Sequence, residues 1–354
     1  MSNYLKIFTN IFLTSVSLSV LLGSFLSIVG PIIQSNQINR KIITVGKSRR
    51  FIEKELKTRK SVLSSLYDNK FENFERLEKL ITKWESIIKK NPDLDVSCSF
   101  LSLDNKEYAE VRSEFKLPAA SSIKVPILLV LLTMIDSKEI YWNEKLTLTK
   151  DLIGSGSGWM AYQKIGEQFP VFEIATEMIR VSDNTATNLL IKRIGGIKII
   201  NQKFKEIGLK NTQINNLLPD LDGTNLTSTK DLSMAIALVD NGFLLNVVSR
   251  DIFREIMSTS ITNKLIPDGI LNGLGIKPGN SDYKLLIQGF RIYNKTGDIG
   301  ITYADSALLE MPDTSRAFTA FIVKGPFNDQ RSTKLIRDMS AAIVTYLKSP
   351  NENP

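Results

Sequence analysis

A serine and a lysine stand three residues apart in Ser121-Ser122-Ile123-Lys124, and they open an apolar run that continues to Ile135. On a helix, residues i and i+3 share a face, so the Ser121 hydroxyl and the Lys124 amine lie side by side. A lysine near its reference pKa of ~10.4 is a poor base at neutral pH. Burial at the start of an apolar helix disfavours the ammonium. A fall to ~7–8 makes the amine a general base, a shift worth ~4 kcal/mol. The pair then carries a nucleophile and its base together. Spacing alone does not single it out. Ser-x-x-Lys recurs at Ser113/Lys116, in a strand-like stretch, and at Ser281/Lys284, read as a polar loop before another strand. An isolated match is ordinarily a capping serine beside a surface lysine. Only Ser121/Lys124 precedes an apolar helix long enough to bury it.

Two further tripeptides have chemistry in them. Ser182-Asp183-Asn184 falls between helical stretches at Glu173–Arg180 and Thr185–Ile194, a junction where short polar side chains can project into a cleft or simply cap a helix. Lys295-Thr296-Gly297 ends the apolar strand Gln288–Asn294. There the lysine supplies a fixed charge, the threonine a hydroxyl, and the glycine lets a ligand approach the backbone.

Composition narrows the chemistry. The chain has no histidine, which removes Ser-His-Asp and Cys-His catalysis and histidine-based zinc sites. The single cysteine, Cys98, permits no intrachain disulfide and no cysteine metal cluster, and its apolar surroundings make it a core residue. A hydrolase of this composition needs another base, and lysine is the available one. The net charge of +8 is local: residues 40–90 carry 15 Lys/Arg against 7 Asp/Glu, and the remainder cancels. The region bearing the three motifs is neutral overall, so it offers no basic face for nucleic acid.

The positioning elements follow from pattern. Residues 1–35 are dominated by the apolar stretch Ile7–Ile33, long enough for a bilayer and equally readable as a signal peptide. The basic residues after it (Arg40, Lys41, Lys47, Arg49, Arg50) favour a cytoplasmic C-terminal side, against simple export. Residues 36–92 read as a basic helical stalk or linker, with Leu77, Leu80, Ile81, Trp84, Ile87 and Ile88 at helical spacing. A globular domain then spans 93–349, with a tail at 350–354. Its strands are expected at Val96–Leu103, Tyr108–Glu114, Leu285–Asn294, Ile301–Met311 and Ala317–Val323, with helices from Ser121 to about Ser260 and a last helix at Thr333–Leu347. Strands at both ends around inserted helices predict an α+β domain.

Together, in this order and setting, the three motifs make the chain resemble the class A β-lactamases and the wider penicillin-recognising serine hydrolases. Val181–Leu190, Gly154-Ser155-Gly156-Ser157-Gly158 and Thr227–Ala235 look like further family stretches, so the resemblance covers about residues 95–348. It implies an antiparallel five-stranded sheet with an inserted all-helical subdomain. It also implies that Ser121 is acylated, Lys124 takes its proton, and Ser182 relays a proton to the leaving nitrogen. Asn184 would contact the substrate amide, and Lys295 and Thr296 the substrate carboxylate. The backbone N–H groups of Ser121 and Asp298 would form an oxyanion hole, each donor worth ~3–4 kcal/mol. Trp159 is expected to line the cleft. The implied substrate is a β-lactam or a D-Ala-D-Ala-type peptide. No metal or organic cofactor is implied, and the protein is expected to be a monomer exported to the membrane, periplasm or exterior.

One departure stands out. The family places a glutamate between the second and third motifs to activate the deacylating water. Here no glutamate occurs between Glu206 and Glu255, and alignment on Thr212-Gln213-Ile214-Asn215 puts Leu218 at that position in a shortened loop. Asp220 and Asp222 are the candidate substitutes, one methylene shorter; Asn225 is a neighbour without basicity. Two activities remain open: a hydrolase that deacylates by a variant route, and a D,D-peptidase-like protein trapped by β-lactams. A third reading is a non-hydrolytic sensor or wall-binding module.

Overall fold

The computed structural model describes residues 74–242, 244–262 and 265–347. The expectations for residues 1–73 and for the tail lie outside them. Among the described residues no helix is long and apolar enough to cross a membrane.

The main sheet uses β1 (Glu75–Arg76), β2 (Asp95–Ser102), β3 (Glu107–Val111), β4 (Arg291–Asp298), β5 (Thr302–Glu310) and β6 (Arg316–Lys324), in the spatial order β1-β3-β2-β6-β5-β4. Five strands are antiparallel, as the sequence implied. The sixth, β1, adds two residues in parallel to β3, pairing Glu75 with Glu107. Alternation along β6 sorts the faces: Phe321 and Val323 enter one apolar cluster, Ala320 and Ile322 another.

The first face is covered by α1 (Glu78–Ile88), α8 (Ile266–Gly273) and α10 (Gln330–Leu347). This corrects the stalk boundary. The stripe Leu77, Leu80, Ile81 and Trp84 is buried against the sheet, so the domain begins near residue 75 and not at 93. Trp84 is fully buried, packs edge-on against Phe321 at 5.7 Å, and donates from Nε1 to the Met339 carbonyl at 2.9 Å. Trp84→Ala is therefore expected to cost ~3–5 kcal/mol. A chain shortened to start at residue 91 should lose at least as much, whereas one starting at residue 74 should not. Urea midpoints of the three proteins check this; equal midpoints would return α1 to the stalk.

The second face carries the insertion: α2 (Lys124–Asp136), α3 (Val171–Arg180), α4 (Asn184–Ile194), α5 (Gly196–Glu206), α6 (Thr229–Asp240) and α7 (Val247–Ser258). It is not purely helical, since Leu117–Pro118 pairs with Leu226–Thr227 and Lys145–Thr147 with Gln168–Pro170. In α2, apolar residues occur all round and every residue from Lys124 to Leu132 is buried, as a helix in the middle of a core requires. The apolar run read as a strand from Leu285 divides in two. Ser281–Ile287 is a short helix, α9, and Gly289, with φ of 80°, turns the chain before β4 begins. Ser281/Lys284 thus belongs to a surface helix.

Candidate active site

Ser121 lies in a single 3-10 turn, Ala120–Ile123, at the head of α2. Ala120 has φ of 47°, a left-handed conformation that costs a residue with a side chain ~1–3 kcal/mol. Neighbours hold the turn. The Ala119 N–H donates to the Asn225 carbonyl at 2.8 Å, and Ser122 Oγ donates to the Ala119 carbonyl at 2.6 Å. Gly297 of β4 lies directly over it. A Cβ there would fall 2.8 Å from both the Ser121 and Ser122 nitrogens. The glycine is needed for strand and turn to approach, a different reason from the ligand access expected of it.

Lys124 is fully buried. Its Nζ lies 3.1 Å from Ser121 Oγ, 3.0 Å from Ser182 Oγ, 2.6 Å from the Ser182 carbonyl and 2.9 Å from Asn184 Oδ1. Burial pushes its pKa well below the usual lysine range, the nearby Lys295 charge pushes the same way, and Asp183 opposes both. Two of these partners, the Ser182 carbonyl and Asn184 Oδ1, can only accept; a neutral amine would give them its two N–H groups and turn its lone pair to the two hydroxyls. The Asn184 oxygen is fixed in this role because its Nδ2 donates to the Ser155 carbonyl at 2.8 Å.

The Ser182-Asp183-Asn184 segment joins α3 to α4 and also contains strain: Ser182 has φ of 59°. Asp183 is fully buried and ties the segment down. Its Oδ1 accepts from the Ala186 N–H at 2.9 Å, capping α4, while Oδ2 accepts from the Trp159 and Met160 N–H groups at 2.7 and 2.9 Å. The glycine-serine stretch is thereby drawn against the motif. Trp159 itself does not line the cleft: its indole donates to Glu177 Oε2 at 2.6 Å and packs edge-on against Phe169.

Lys295 is fully buried on β4, with Nζ donating to the Thr296 carbonyl at 2.7 Å. Burial lowers its pKa to about 8, against the pull of Asp305. Asp305 is fully buried too, and burial raises it to about 7 although the Ile266 N–H and Asn294 Nδ2 donate to it. Thr296 Oγ1 pairs with Thr262 Oγ1 at 2.8 Å. Thr262 lines the cleft and sequence reasoning missed it; it sits in a loop with no motif around it. Asp298 is exposed at the strand end and accepts from the Gly300 N–H at 2.8 Å.

Ser121, Ser182, Asn184, Lys295, Thr296 and Asp298 thus meet on one cleft of about 250 Å³. Leu218 and Asp220 line the same cleft. The Asn188 side chain grips Leu218 at both ends, accepting from its N–H at 2.8 Å and donating to its carbonyl at 2.7 Å. Asp220 spends its carboxylate on its own loop, accepting from Thr224 Oγ1 at 2.7 Å and from the Asn225 N–H at 2.6 Å. Asp222 is exposed and absent from the cleft lining. Among the described residues no cluster of acidic or cysteine side chains could hold a metal ion.

Comparison with known proteins agrees with this arrangement. The model of the β-lactamase enzyme family matches residues 76–347, beginning where the structure places the first strand. β-Lactamase BRO-1 of Moraxella catarrhalis is 27% identical over 226 residues, covering 63% of this chain and 66% of that protein, just under two thirds of its length. The solved structure of PBP-A is 37% identical, with a TM-score of 0.71, covering 78% of this chain and 98% of that one. A leucine-to-glutamate variant of PBP-A, solved as its acyl-enzyme complex with penicillin G, matches with the same identity and TM-score over 77% of this chain and 98% of the variant. The fold, the meeting of all three motifs on one cleft and these matches lead to one assignment: the chain belongs to the β-lactamase enzyme family, with a class A β-lactamase and penicillin-binding protein fold.

Proposed function

We propose that the protein is a serine acyl-enzyme of the penicillin-binding type, in which a β-lactam or a D-Ala-D-Ala-type peptide acylates Ser121 and the ester persists. Lys124 takes the proton from Ser121 Oγ as the oxygen attacks the carbonyl. The backbone N–H groups of Ser121 and Asp298 receive the developing oxyanion. As the C–N bond breaks, Ser182 passes a proton, replaced from Lys124, to the leaving nitrogen. Lys295 and Thr296 hold the substrate carboxylate. The observation that carries this reading is the buried Lys124 amine, which lies within hydrogen-bond reach of both the Ser121 and the Ser182 hydroxyl. Persistence is supported by the cleft wall, where Leu218 stands and the Asp220 carboxylate is already engaged. Of the two activities the sequence left open, this favours the trapped peptidase-like enzyme over the hydrolase. The apolar stretch at residues 7–33 supports a site of action outside the cytoplasm.

Intact mass followed over time in the presence of benzylpenicillin tests the reading. The expected result is a stable gain of one penicillin mass, absent in Ser121→Ala. Rapid drug hydrolysis with little adduct would point to the hydrolase instead. Neither adduct nor hydrolysis would remove the acylation chemistry altogether.

The pH dependence has a definite sign. Acylation needs Lys124 as the free amine, which its lowered pKa favours, and Lys295 as the ammonium, present below about 8. The kcat/KM for acylation should therefore fall as pH rises through about 8. A bound carboxylate favours the ammonium, so the rate at saturating penicillin should fall only at higher pH. Arginine does not deprotonate, and Lys295→Arg should lose this alkaline limb. A limb that survives in the variant belongs to another group.

A further inference from the structure

A separate hollow of about 270 Å³ lies between the end of α7, the short helix α9 and the first half of β4. It is as large as the catalytic cleft and shares no lining residue with it. Its apolar wall is Met257, Leu285, Leu286, Phe290 and Ile292. Leu285 and Phe290 are buried, but Leu286 is 51% exposed, so part of that wall stands open to solvent. A concave, mostly apolar hollow with a few polar groups is the usual form of a small-molecule site.

The walls are held from behind. Ser281 Oγ donates to Asp268 Oδ1 at 2.6 Å, which ties α9 to α8, and the Phe290 N–H donates to the Leu285 carbonyl at 2.9 Å, which fixes the turn into β4. The serine hydroxyls on the lining are engaged. Ser258 Oγ donates to the Glu255 carbonyl at 2.6 Å, and Ser260 Oγ pairs with Thr262 Oγ1 at 3.3 Å.

The charge left for a ligand is that of Arg291, exposed at the start of β4 and opposite Glu310 in the register with β5. That glutamate is taken: Arg254 Nε lies 3.5 Å from one oxygen and the Tyr293 hydroxyl 3.5 Å from the other. Among the described residues Arg291 stands in no ion pair. Its guanidinium carries five donors in a fork that fits a carboxylate. Asp282, the other charged residue on the lining, disfavours a second negative group. We infer that the hollow binds a small monocarboxylate with an aryl or branched apolar body, the body against Leu286 and Phe290 and the carboxylate on Arg291. The inference uses no residue of the cleft and is independent of the acyl-enzyme reading.

Titration of the full chain with 4-phenylbutyrate and with its uncharged amide, followed by ligand-observed NMR, tests it. Lys295 in the cleft could also take a carboxylate, so Lys295→Gln is the control. The acid should bind saturably and about fivefold tighter than the amide, the upper end for an ion pair at an exposed guanidinium. Arg291→Gln should bring the two compounds level, and Leu286→Ser should weaken both by a similar factor. Both are substitutions of exposed side chains. Lys295→Gln should change neither affinity. A preference for the acid that survives in Arg291→Gln, binding that Leu286→Ser leaves intact, or binding lost in Lys295→Gln overturns the inference. So does the absence of saturable binding by either compound.

Discussion

Lys124→Arg is expected to slow acylation by benzylpenicillin by about 10²–10⁴-fold, the usual contribution of a positioned base, although the variant keeps a cation at the position. Arginine cannot become neutral in a protein. Here burial first, and then the Lys295 charge, push the wild-type lysine's pKa well below its usual range. Lys124→Met removes the charge and keeps the approximate length. If Lys124 served only to hold Asn184 and Ser182 by its charge, arginine would be the better replacement of the two. If it is a base, both variants should fail to similar degrees. The measurement is the initial rate of adduct formation, with circular dichroism confirming that each variant folds. An arginine variant within a factor of a few of wild type would end the general-base assignment.

The grouping of the three motifs was legible because it is built from local devices. Ser121 and Lys124 share a helix face by spacing alone, and the absence of histidine left lysine as the base. The three motifs in order then named the family. What the sequence could not give were facts set by non-local packing. The stripe Leu77, Leu80, Ile81 and Trp84 fits a membrane-surface helix and a sheet-covering helix equally well, since periodicity identifies an apolar face but not what covers it. The run beginning at Leu285 reads as strand until the turn at Gly289 is seen to divide it. Thr262 meets Thr296 across 34 residues of chain, and no local pattern announces such a meeting. Asp220 was a reasonable base by type and position. Only the geometry shows its carboxylate occupied by the Thr224 and Asn225 donors.

That last point sets up a gain of function. Leu218→Glu should shorten the lifetime of the penicillin adduct by about 10²–10⁴-fold, the range of a positioned base. Position 218 is the right place because its backbone is held at both ends by the Asn188 side chain, while the residue lines the same cleft as Ser121. A glutamate there enters a site where leucine is only 6% exposed. Burial will raise its pKa above the reference value of ~4.3, toward the range in which a carboxylate abstracts a proton from water efficiently. The same burial should cost stability, so the variant should unfold at lower urea than wild type while turning over more drug. Asp220→Asn provides the contrast. It weakens acceptors that serve the loop, and it should lower stability without changing the lifetime of the adduct. Adduct decay after removal of free penicillin, followed by intact mass, separates the two. If Asp220→Asn lengthens the lifetime and Leu218→Glu does not shorten it, then the residual deacylation runs through Asp220, and the loop is an alternative hydrolytic device in place of a missing one.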